Sequence, residues 1–431
     1  MTRAQMKQRK RDETASRLDG KVLPTGAAWA TELRQKSLAR LLDMGLPTKR
    51  DEYWKWTDPA TLTAAQPVPA AVFHTEELPF FDAIDRLKIV FVDGVFDAAA
   101  SDDFAGEGFE ISMLKDALNA DIHWAKEAYG VLECAGQTPV ERPLAAMNTA
   151  FATDGVVIRV TGKVSKPISI IYKHENETSD AILHNLVKVE TGGEVTLLEN
   201  GPAAARFNKV LEVEIADGAS FHHVRAQGRD HERRASTHIF ARLGANSLFK
   251  SFTMTANGIL TRNEVVIEIL GDDANAHVGG VCMGDGAFSH DDTVFITHDA
   301  ERGESRQVFK KVLRNGATGV FQGKILVKDG AQKTDGYQIS QSLLLDDDSQ
   351  FLAKPELEIY ADDVICSHGS TTGAIDEEAL FYLKSRGVPT AEATDLLTLA
   401  FLAEAIDEIA SEDIAAEVLA RLEAWLARRK G

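Results

Sequence analysis

Residues 354–387 contain the two side chains of this chain whose types and spacing best suit metal chemistry. Apolar residues alternate there at Leu357 and Ile359, and after an acidic turn the alternation resumes and includes Cys366 and His368. Such alternation is typical of a half-buried strand. Two positions apart on a strand, a thiol and an imidazole share one face and lie about 6.6 Å apart along the chain. The pattern therefore predicts a pair of metal ligands.

Two ligands do not make a complete site, because tetrahedral zinc and iron-sulfur clusters take about four protein ligands. The other two cysteines, Cys134 and Cys282, are too far away in sequence to form a Cys-x-x-Cys motif. The alternative interpretation is that Cys366 is a small buried hydrophobe and that His368 is satisfied by a turn. The residues by themselves leave both interpretations open.

Other chemistry-bearing residues give weaker signals. His222 and His223 are adjacent, so on a strand they face opposite sides, and a cupin-like metal site with His231 and His238 is not expected. A second set is spread over two turns and is equally unpromising: His277, Cys282, His290 and His298. The acidic run at residues 346–348 resembles the carboxylates of a polysaccharide-cleaving enzyme, but aspartate favours turns, and we predict that it caps one.

Composition excludes several classes of protein. The 431 residues carry a formal net charge of -19, which argues against a nucleic-acid partner because neutralising phosphates takes a basic surface. Three cysteines form no disulfide framework and fit a reducing, cytoplasmic location. No apolar run is long enough to predict a membrane-spanning helix. Walker A, GxGxxG, GxSxG and HExxH motifs are absent from the sequence, so no nucleotide, hydrolase or zincin site is predicted.

The elements that must position these residues begin with an N-terminal region. Residues 27–44 have helical periodicity, and a Gly-Leu-Pro sequence ends the pattern. Tyr53, Trp54 and Trp56 follow and are predicted to pack this helix onto the next part of the chain, with a binding surface as the alternative. Residues 87–96 contain an Asp-Gly turn between apolar runs and predict a hairpin. Residues 111–131 are predicted to be helical.

From Val156 the pattern changes to short alternating segments closed by turn residues, which predicts an all-β region. Turns at Gly193, Gly218, Gly244 and Asp272 recur at a nearly constant interval. Later turns recur at little more than half that interval, at Gly316, Gly330, Asp347 and Asp363. A near-regular period of this kind favours a solenoid of stacked β coils over the alternative, a β-sandwich.

After Gly373 the period becomes helical. Asp376 is a predicted N-cap, and Arg386 with Gly387 ends the first helix. Two more helices are predicted, from Thr390 and around Ile414, and the three helices are so apolar that they must be covered, either by one another or by a partner protein. The sequence thus predicts three parts: a mostly helical region at residues 1–155, a β domain at 156–373 and a helical domain at 374–431.

A family resemblance adds to this interpretation. LEIYADDVICSHGSTTG, followed by DEEALFYLKSRG, resembles the C-terminal signature of the SufB/SufD family, the scaffold subunits of the SUF iron-sulfur assembly machinery, and its SufD branch in particular. VFQGKILVKDGAQKTDGYQ and the triple leucine at residues 343–345 follow Ser305, Gln307 and Lys310 in the family's order. GLPTKRDEYWKWTD is similar to the family's helical entry segment, so the resemblance extends from about Gly45 onward.

The resemblance implies a mainly β fold, with a right-handed parallel β-helix between the N-terminal helical region and the C-terminal helical domain. It also implies a scaffold that is not itself an enzyme. The resemblance further implies that the chain pairs edge to edge with SufB and that its C-terminal helices bind the ATPase SufC, which would supply the ATP site absent from this sequence. The candidate SufC contacts are Glu377, Phe381, Tyr382 and Arg386.

For the site, the resemblance implies that His368 and Cys366, together with a SufB cysteine, hold a nascent, transient iron-sulfur cluster at the SufB interface, and that this chain alone holds no cofactor tightly. A SufB-like scaffold that pairs with itself is the near alternative. A β-helical carbohydrate-active enzyme, acting alone, is the alternative from a different class.

Overall fold

Two long parallel sheets form the centre of the molecule. The computed structural model describes residues 3–72, 79–227 and 231–427, so the ends of the first and last predicted regions lie outside the described residues. The strands are β1 (Leu87–Val92), β2 (Val95–Phe96), β3 (Phe109–Met113), β4 (Val156–Val160), β5 (Ile168–Lys173), β6 (Asp180–Val189), β7 (Glu194–Asn200), β8 (Arg206–Ile215), β9 (Ser220–Gln227), β10 (Arg234–Leu243), β11 (Leu248–Ala256), β12 (Leu260–Ile269), β13 (Asn275–Asp285), β14 (Ser289–His298), β15 (Glu304–Arg314), β16 (Thr318–Val327), β17 (Asp335–Leu344), β18 (Gln350–Ile359) and β19 (Ile365–Gly373).

From β4 to β19, consecutive strands alternate between the two sheets, so that the chain winds as a parallel β-helix of about seven turns. Sheet A has the order β19-β17-β15-β13-β11-β9-β7-β5-β1-β2, and sheet B has the order β18-β16-β14-β12-β10-β8-β6-β4-β3. Pairing within each sheet is parallel except for β1 with β2 and β3 with β4. The prediction of a mainly β fold built on a parallel β-helix is confirmed.

The coil geometry explains both sets of turn spacings in the sequence. In sheet B, Asp180 at the start of β6 lies in register with Arg206 at the start of β8, so the chain between them forms one coil. Each coil contains two turns, one at the end of each strand. The early turns, which recur once per coil, are therefore on one side of the β-helix. The later turns recur about twice per coil and alternate between the two sides.

The space between the sheets is the main hydrophobic core. Along each strand, alternate side chains face it, as for Val265, Ile267 and Ile269 on β12. Phe221 and Phe249 stack in adjacent coils with ring centroids 5.7 Å apart. Because every coil buries its apolar face only against the next coil, the core is continuous along the solenoid.

The N-terminal helices cover the outer face of sheet B. They are α1 (Arg3–Leu18), α2 (Ala28–Met44), α3 (Ala60–Thr63), α4 (Leu114–Asn119), α5 (Val131–Ala135) and α6 (Pro143–Phe151), with 3₁₀ helices at Glu52–Trp54 and Trp124–Glu127. Trp54 is only 4% exposed, and its ring lies 4.1 Å from the Arg262 guanidinium on β12. The prediction that the aromatic segment docks α2 onto the following domain is confirmed.

Two local predictions in this region have different outcomes. The hairpin at residues 87–96 is confirmed, since β1 and β2 pair across the Asp93-Gly94 turn. The prediction of helix throughout residues 111–131 is wrong at its start. There the chain continues β3, which pairs antiparallel with β4 and caps the first coil, and short helices follow it.

The C-terminal helices are α7 (Glu377–Ser385), α8 (Thr390–Ile406) and α9 (Glu412–Ala427). Asp376 is the N-cap of α7, because its carboxylate accepts hydrogen bonds from the backbone amides of Glu378 and Ala379 at 2.9 and 3.0 Å. Helices α8 and α9 bury their apolar side chains against one another and against the outer face of sheet A, where Leu402 and Leu422 join Phe252 and Met254 in one cluster. The β-helix itself therefore covers these helices. Among the described residues, no helix is long and apolar enough to cross a bilayer.

Candidate functional site

The pair Cys366 and His368 lies on β19, the last strand of sheet A. Strand β19 pairs in parallel with β17, and the register sets Cys366 beside Gly336 and His368 beside Gln338. Within the part of the chain that the structure describes, the other edge of β19 has no partner strand. Both side chains occupy the inward-facing positions of the final coil, so the shared face expected from their spacing agrees with the register.

Cys366 is half-buried. Its side chain packs on the small apolar cluster of the last coil, which includes Ile325 and Val327. Burial raises the pKa of the Cys366 thiol, the Asp335 carboxylate adds to the rise, and a backbone hydrogen bond from Gly336 opposes it. At neutral pH the group is therefore a thiol, and binding a metal requires the loss of its proton.

His368 differs from Cys366 because it is exposed. Its neighbour in register, Gln338, is fully buried and donates a hydrogen bond from Nε2 to Oε1 of Gln307 at 2.8 Å, one coil further in. Oε1 of Gln338 is buried and has no hydrogen-bond partner among the described residues. An exposed imidazole at the open end of the solenoid is accessible to a group that approaches from outside.

Within residues 3–72, 79–227 and 231–427, no three His, Cys, Asp or Glu side chains are grouped so that they could hold a metal ion. Cys366 and His368 thus form half of a tetrahedral ligand set. The described residues therefore supply no third ligand beside this pair.

The end of the solenoid around this pair exposes apolar residues. Ile365, at the start of β19, is 73% exposed, and Tyr360, just after β18, is 60% exposed. Both terminal strands carry mostly partly buried or exposed side chains, in contrast to the buried strands of the inner coils. An open edge with exposed apolar residues is a surface onto which another chain can add.

The four candidate partner contacts all belong to α7 or its C-terminal cap. No side chain of α7 is buried, and Phe381 and Tyr382 are 73% and 54% exposed. The Arg386 guanidinium lies 3.6 Å from the Tyr382 ring centroid, and Glu377 precedes Phe381 by one helical turn. The structure thus brings Glu377, Phe381, Tyr382 and Arg386 together on one exposed helix, in contrast to the buried apolar faces of α8 and α9.

The weaker candidates prove to be structural. His223 points into the core, where it contacts Ser251 at 2.8 Å and Glu199 at 3.0 Å, whereas His222 is on the opposite face. The Asp346 carboxylate accepts hydrogen bonds from backbone amides of its own turn and the neighbouring turn, including that of Ser349 at 2.9 Å. The predicted turn-capping role of the acidic run is confirmed.

Sequence reasoning missed a set of charged side chains inside the solenoid. Lys209 donates to both carboxylate oxygens of Glu199 at 2.5 Å, and Lys311 contacts Asp292 at 2.6 Å, all of them buried. The signal is present in the strand alternation, because each charge is an even number of residues from apolar core residues of its own strand and so shares their inward face. It is easily overlooked, since charge is rarely buried and a charged strand position is ordinarily expected to face solvent.

Comparison with known proteins places most of the β-helix in a described family. Residues 171–401 of the 431-residue chain match the model described as "SUF system FeS cluster assembly, SufBD core domain". The matched segment runs from β5 into α8 and so includes most of the β-helix, the pair on β19 and α7.

Curated relatives agree with the family model. The chain is 28% identical over 410 residues to the iron-sulfur cluster assembly protein SufD of Escherichia coli, an alignment that covers 90% of this chain and 91% of the relative. It is 26% identical over 398 residues to a SufBD family protein of Synechocystis, covering 87% and 86%. The SufD protein of Bacillus subtilis is 28% identical over 294 residues, covering 66% and 67%.

Proposed function

Since the chain belongs to the SufBD family of SUF-system iron-sulfur cluster assembly proteins, we propose that it is the SufD-type scaffold of a complex with SufB and the ATPase SufC. In that complex the chain is not a catalyst, and its Cys366 and His368 contribute ligands to a nascent cluster at the interface with SufB. The observation that carries this proposal is the position of a two-ligand pair on β19, the terminal strand of sheet A, whose outer edge has no partner strand among the described residues.

The open edge supports pairing with a homologous chain. Strands β18 and β19 end the two sheets within the described part of the chain, and their outer backbone groups are free to pair with a further strand. A homologous chain with the same β-helical coils has the same distance between its strands, so its end strands can pair with this edge. The exposed Ile365 and Tyr360 add apolar surface to the contact.

The chemistry of the pair fits a shared and transient cluster. Iron-sulfur clusters take mainly thiolates and an occasional imidazole, about four ligands in all. This chain offers two, so a cluster binds only when a partner adds the rest. Because burial favours the protonated thiol of Cys366, the pair binds iron weakly before assembly, as expected of a site that later releases its cargo.

Helix α7 is the proposed contact for SufC. It exposes two aromatic rings, and aromatic residues are enriched among the side chains that dominate binding energy in protein interfaces. Helices α8 and α9 are used to dock onto sheet A, so α7 is the part of the C-terminal domain left for a partner.

The test is co-expression of the full chain with tagged SufB and SufC from the same genome, followed by size exclusion and anaerobic reconstitution with iron and sulfide. We expect a stable complex in which His368→Ala lowers cluster yield at least several-fold without altering assembly. Ser367→Ala, on the same strand but at an outward-facing position, is the matched control and should leave the yield unchanged.

A chain that elutes alone, or a His368→Ala complex that loads iron and sulfide normally, contradicts the proposed ligand role. A homodimer that assembles a cluster without SufB identifies a self-pairing SufB-like scaffold instead. For the ATPase contact, Phe381→Ala with Tyr382→Ala should release SufC while SufB stays bound. Ile122→Ala, which removes another highly exposed apolar side chain, is the control.

A further inference from the structure

A row of side-chain amides inside the last coils ends in a hydrogen-bond acceptor that has no donor. Gln307, Gln338 and His368 hold the same position on β15, β17 and β19, because each is in register with the next. Both glutamines are fully buried. Gln338 Nε2 donates to Gln307 Oε1 at 2.8 Å, whereas Gln338 Oε1 has no hydrogen-bond partner among the described residues. Buried polar atoms are normally hydrogen-bonded, so this oxygen lacks a donor.

The surroundings of the Gln338 amide hold it in place. The amide reaches across the core to sheet B, where Gly323 on β16 leaves the space that it fills, since a β-carbon at position 323 would overlap Gln338 Nε2. The nitrogen is engaged by Gln307 in the inner coil. A planar amide that directs its nitrogen toward the inner coil directs its oxygen away from it. The free oxygen is therefore the atom available toward the last strand, β19.

The register pairs on either side of Gln338 and His368 are already linked. The backbone amide of Gly336 donates to the Cys366 thiol, and Ser340 Oγ donates to Ser370 Oγ at 3.1 Å. These two pairs join the inward-facing positions of β17 and β19, as Gln338 and His368 do. The pair between them has no such bond.

His368 can supply the missing donor. Its imidazole is exposed and makes no hydrogen bond within the part of the chain that the structure describes. Neighbouring strands are about 4.8 Å apart, and this single step already brings Gln307 and Gln338 into hydrogen-bond contact. The same step separates Gln338 from His368, so an imidazole turned toward the interior comes within reach of Gln338 Oε1.

The direction of the amide row suits a histidine that binds a metal. Such a histidine binds through the lone pair of one ring nitrogen and usually donates the N–H of the other to an oxygen, which fixes its orientation and its tautomer. Gln338 Oε1 is an acceptor of this kind. A glutamine nitrogen in the same place would instead donate to the imidazole and occupy the lone pair that the metal needs.

We propose that Gln338 is a positioning residue for His368 in the assembled complex. Its Oε1 accepts the N–H of one ring nitrogen of His368 and leaves the other nitrogen free to bind iron. This inference rests on the proposed ligand role of His368. In the chain alone the exposed ring is free to turn, and a partner that covers the open edge of β19 favours the ring position against Gln338.

The test uses the full chain in complex with SufB and SufC, reconstituted with iron and sulfide. Gln338→Met keeps the length of the side chain but removes the acceptor. It should speed the loss of iron to the chelator bipyridyl about 10- to 100-fold, the usual cost of losing the hydrogen-bond partner of a metal-binding histidine. Gln338→Glu restores an acceptor, and the free Nε2 of Gln307 can donate to the new carboxylate, so this variant should recover most of the wild-type retention of iron.

Ser340→Ala is the matched control, because it removes another buried hydrogen bond between β17 and β19 and should retain iron as wild type does. The crystal structure of the wild-type complex should place Gln338 Oε1 within about 3.2 Å of a His368 ring nitrogen, and it decides the question even if Gln338→Met does not fold.

The proposal is overturned if the His368 ring lies out of reach of the Gln338 amide in that structure. It is also overturned if His368→Ala lowers the cluster yield but Gln338→Met retains iron normally, or if Ser340→Ala loses iron as fast as Gln338→Met. A normal cluster yield in His368→Ala is a different failure, because it removes the ligand role of His368 and this inference with it.

Discussion

Cys366 and Gly336 are in direct register on neighbouring strands, and a β-carbon at position 336 would lie 3.2 Å from the Cys366 Sγ atom. It would also lie 3.4 Å from two carbons of Ile325. The absence of a side chain at Gly336 therefore gives the thiol its half-buried place in the last coil. This relationship links the accessibility of a candidate ligand to one glycine.

Gly336→Ala should displace the Cys366 side chain outward and increase its rate of alkylation by iodoacetamide severalfold. The added methyl group overpacks the site, which costs about 1 kcal/mol or somewhat more. Mass spectrometry of the Cys366 peptide measures the rate. Gly330→Ala is the control, because nothing lies within 4 Å of a β-carbon there. An unchanged rate in Gly336→Ala would show that the glycine does not control the thiol.

The alkylation of Cys366 should also depend on pH in a defined direction. Burial raises the pKa of the thiol, so the thiolate that reacts with iodoacetamide forms only at higher pH than in an unfolded peptide. The pH at which the alkylation rate reaches half of its maximum should therefore be higher for the folded protein than for a synthetic peptide spanning residues 362–371. A midpoint equal to or below the peptide value would contradict the buried environment described for this thiol.

His298 should make the protein sensitive to mild acid. It is fully buried, Nε2 contacts Ser305 Oγ at 2.8 Å, and burial lowers its pKa to about 4. Between the unfolded pKa, about 6.5, and the folded value, the unfolded chain binds a proton that the folded chain does not. The free energy of unfolding therefore falls as pH decreases through this window.

From pH 7 to pH 5 this single group should account for a loss of about 2 kcal/mol. Urea denaturation at the two pH values should show a smaller loss for His298→Gln than for wild type. His368→Gln, which changes an exposed histidine, should behave as wild type does. Equal losses in all three proteins would exclude His298 as a source of the pH dependence.

Trp54 should be the main anchor of the N-terminal region. Its buried ring lies against Arg262, which is held in turn by Glu264 and Asp291. Trp54→Ala should lower the free energy of unfolding by about 3 to 5 kcal/mol, the usual cost of removing a buried tryptophan side chain. Trp56→Ala removes a half-buried ring and should cost clearly less in the same denaturation experiment. If both variants lost the same free energy of unfolding, the contribution of these two tryptophans to stability would not depend on packing against sheet B.

Several elements were predictable from local sequence. The Asp93-Gly94 turn, the cap at Asp376 and the turn-capping role of Asp346 each depend on interactions within a few residues, and the structure contains all three. The shared face of Cys366 and His368 follows from strand periodicity alone. In contrast, the helix predicted at the start of residues 111–131 is wrong, because pairing with β4 overrides the local helical pattern.

The amino-acid sequence by itself determined the β-solenoid, the helical C-terminal end and the positions of the two candidate ligands, because alternation and turn residues act locally. Only the tertiary structure decided what covers the apolar helices and which of them is left exposed. It also decided that Lys209, Arg225 and Arg233 face the core, because coil stacking brings side chains together that are distant in sequence. Which buried charges lie close enough to pair depends on that stacking, and it cannot be predicted from the sequence of any single strand.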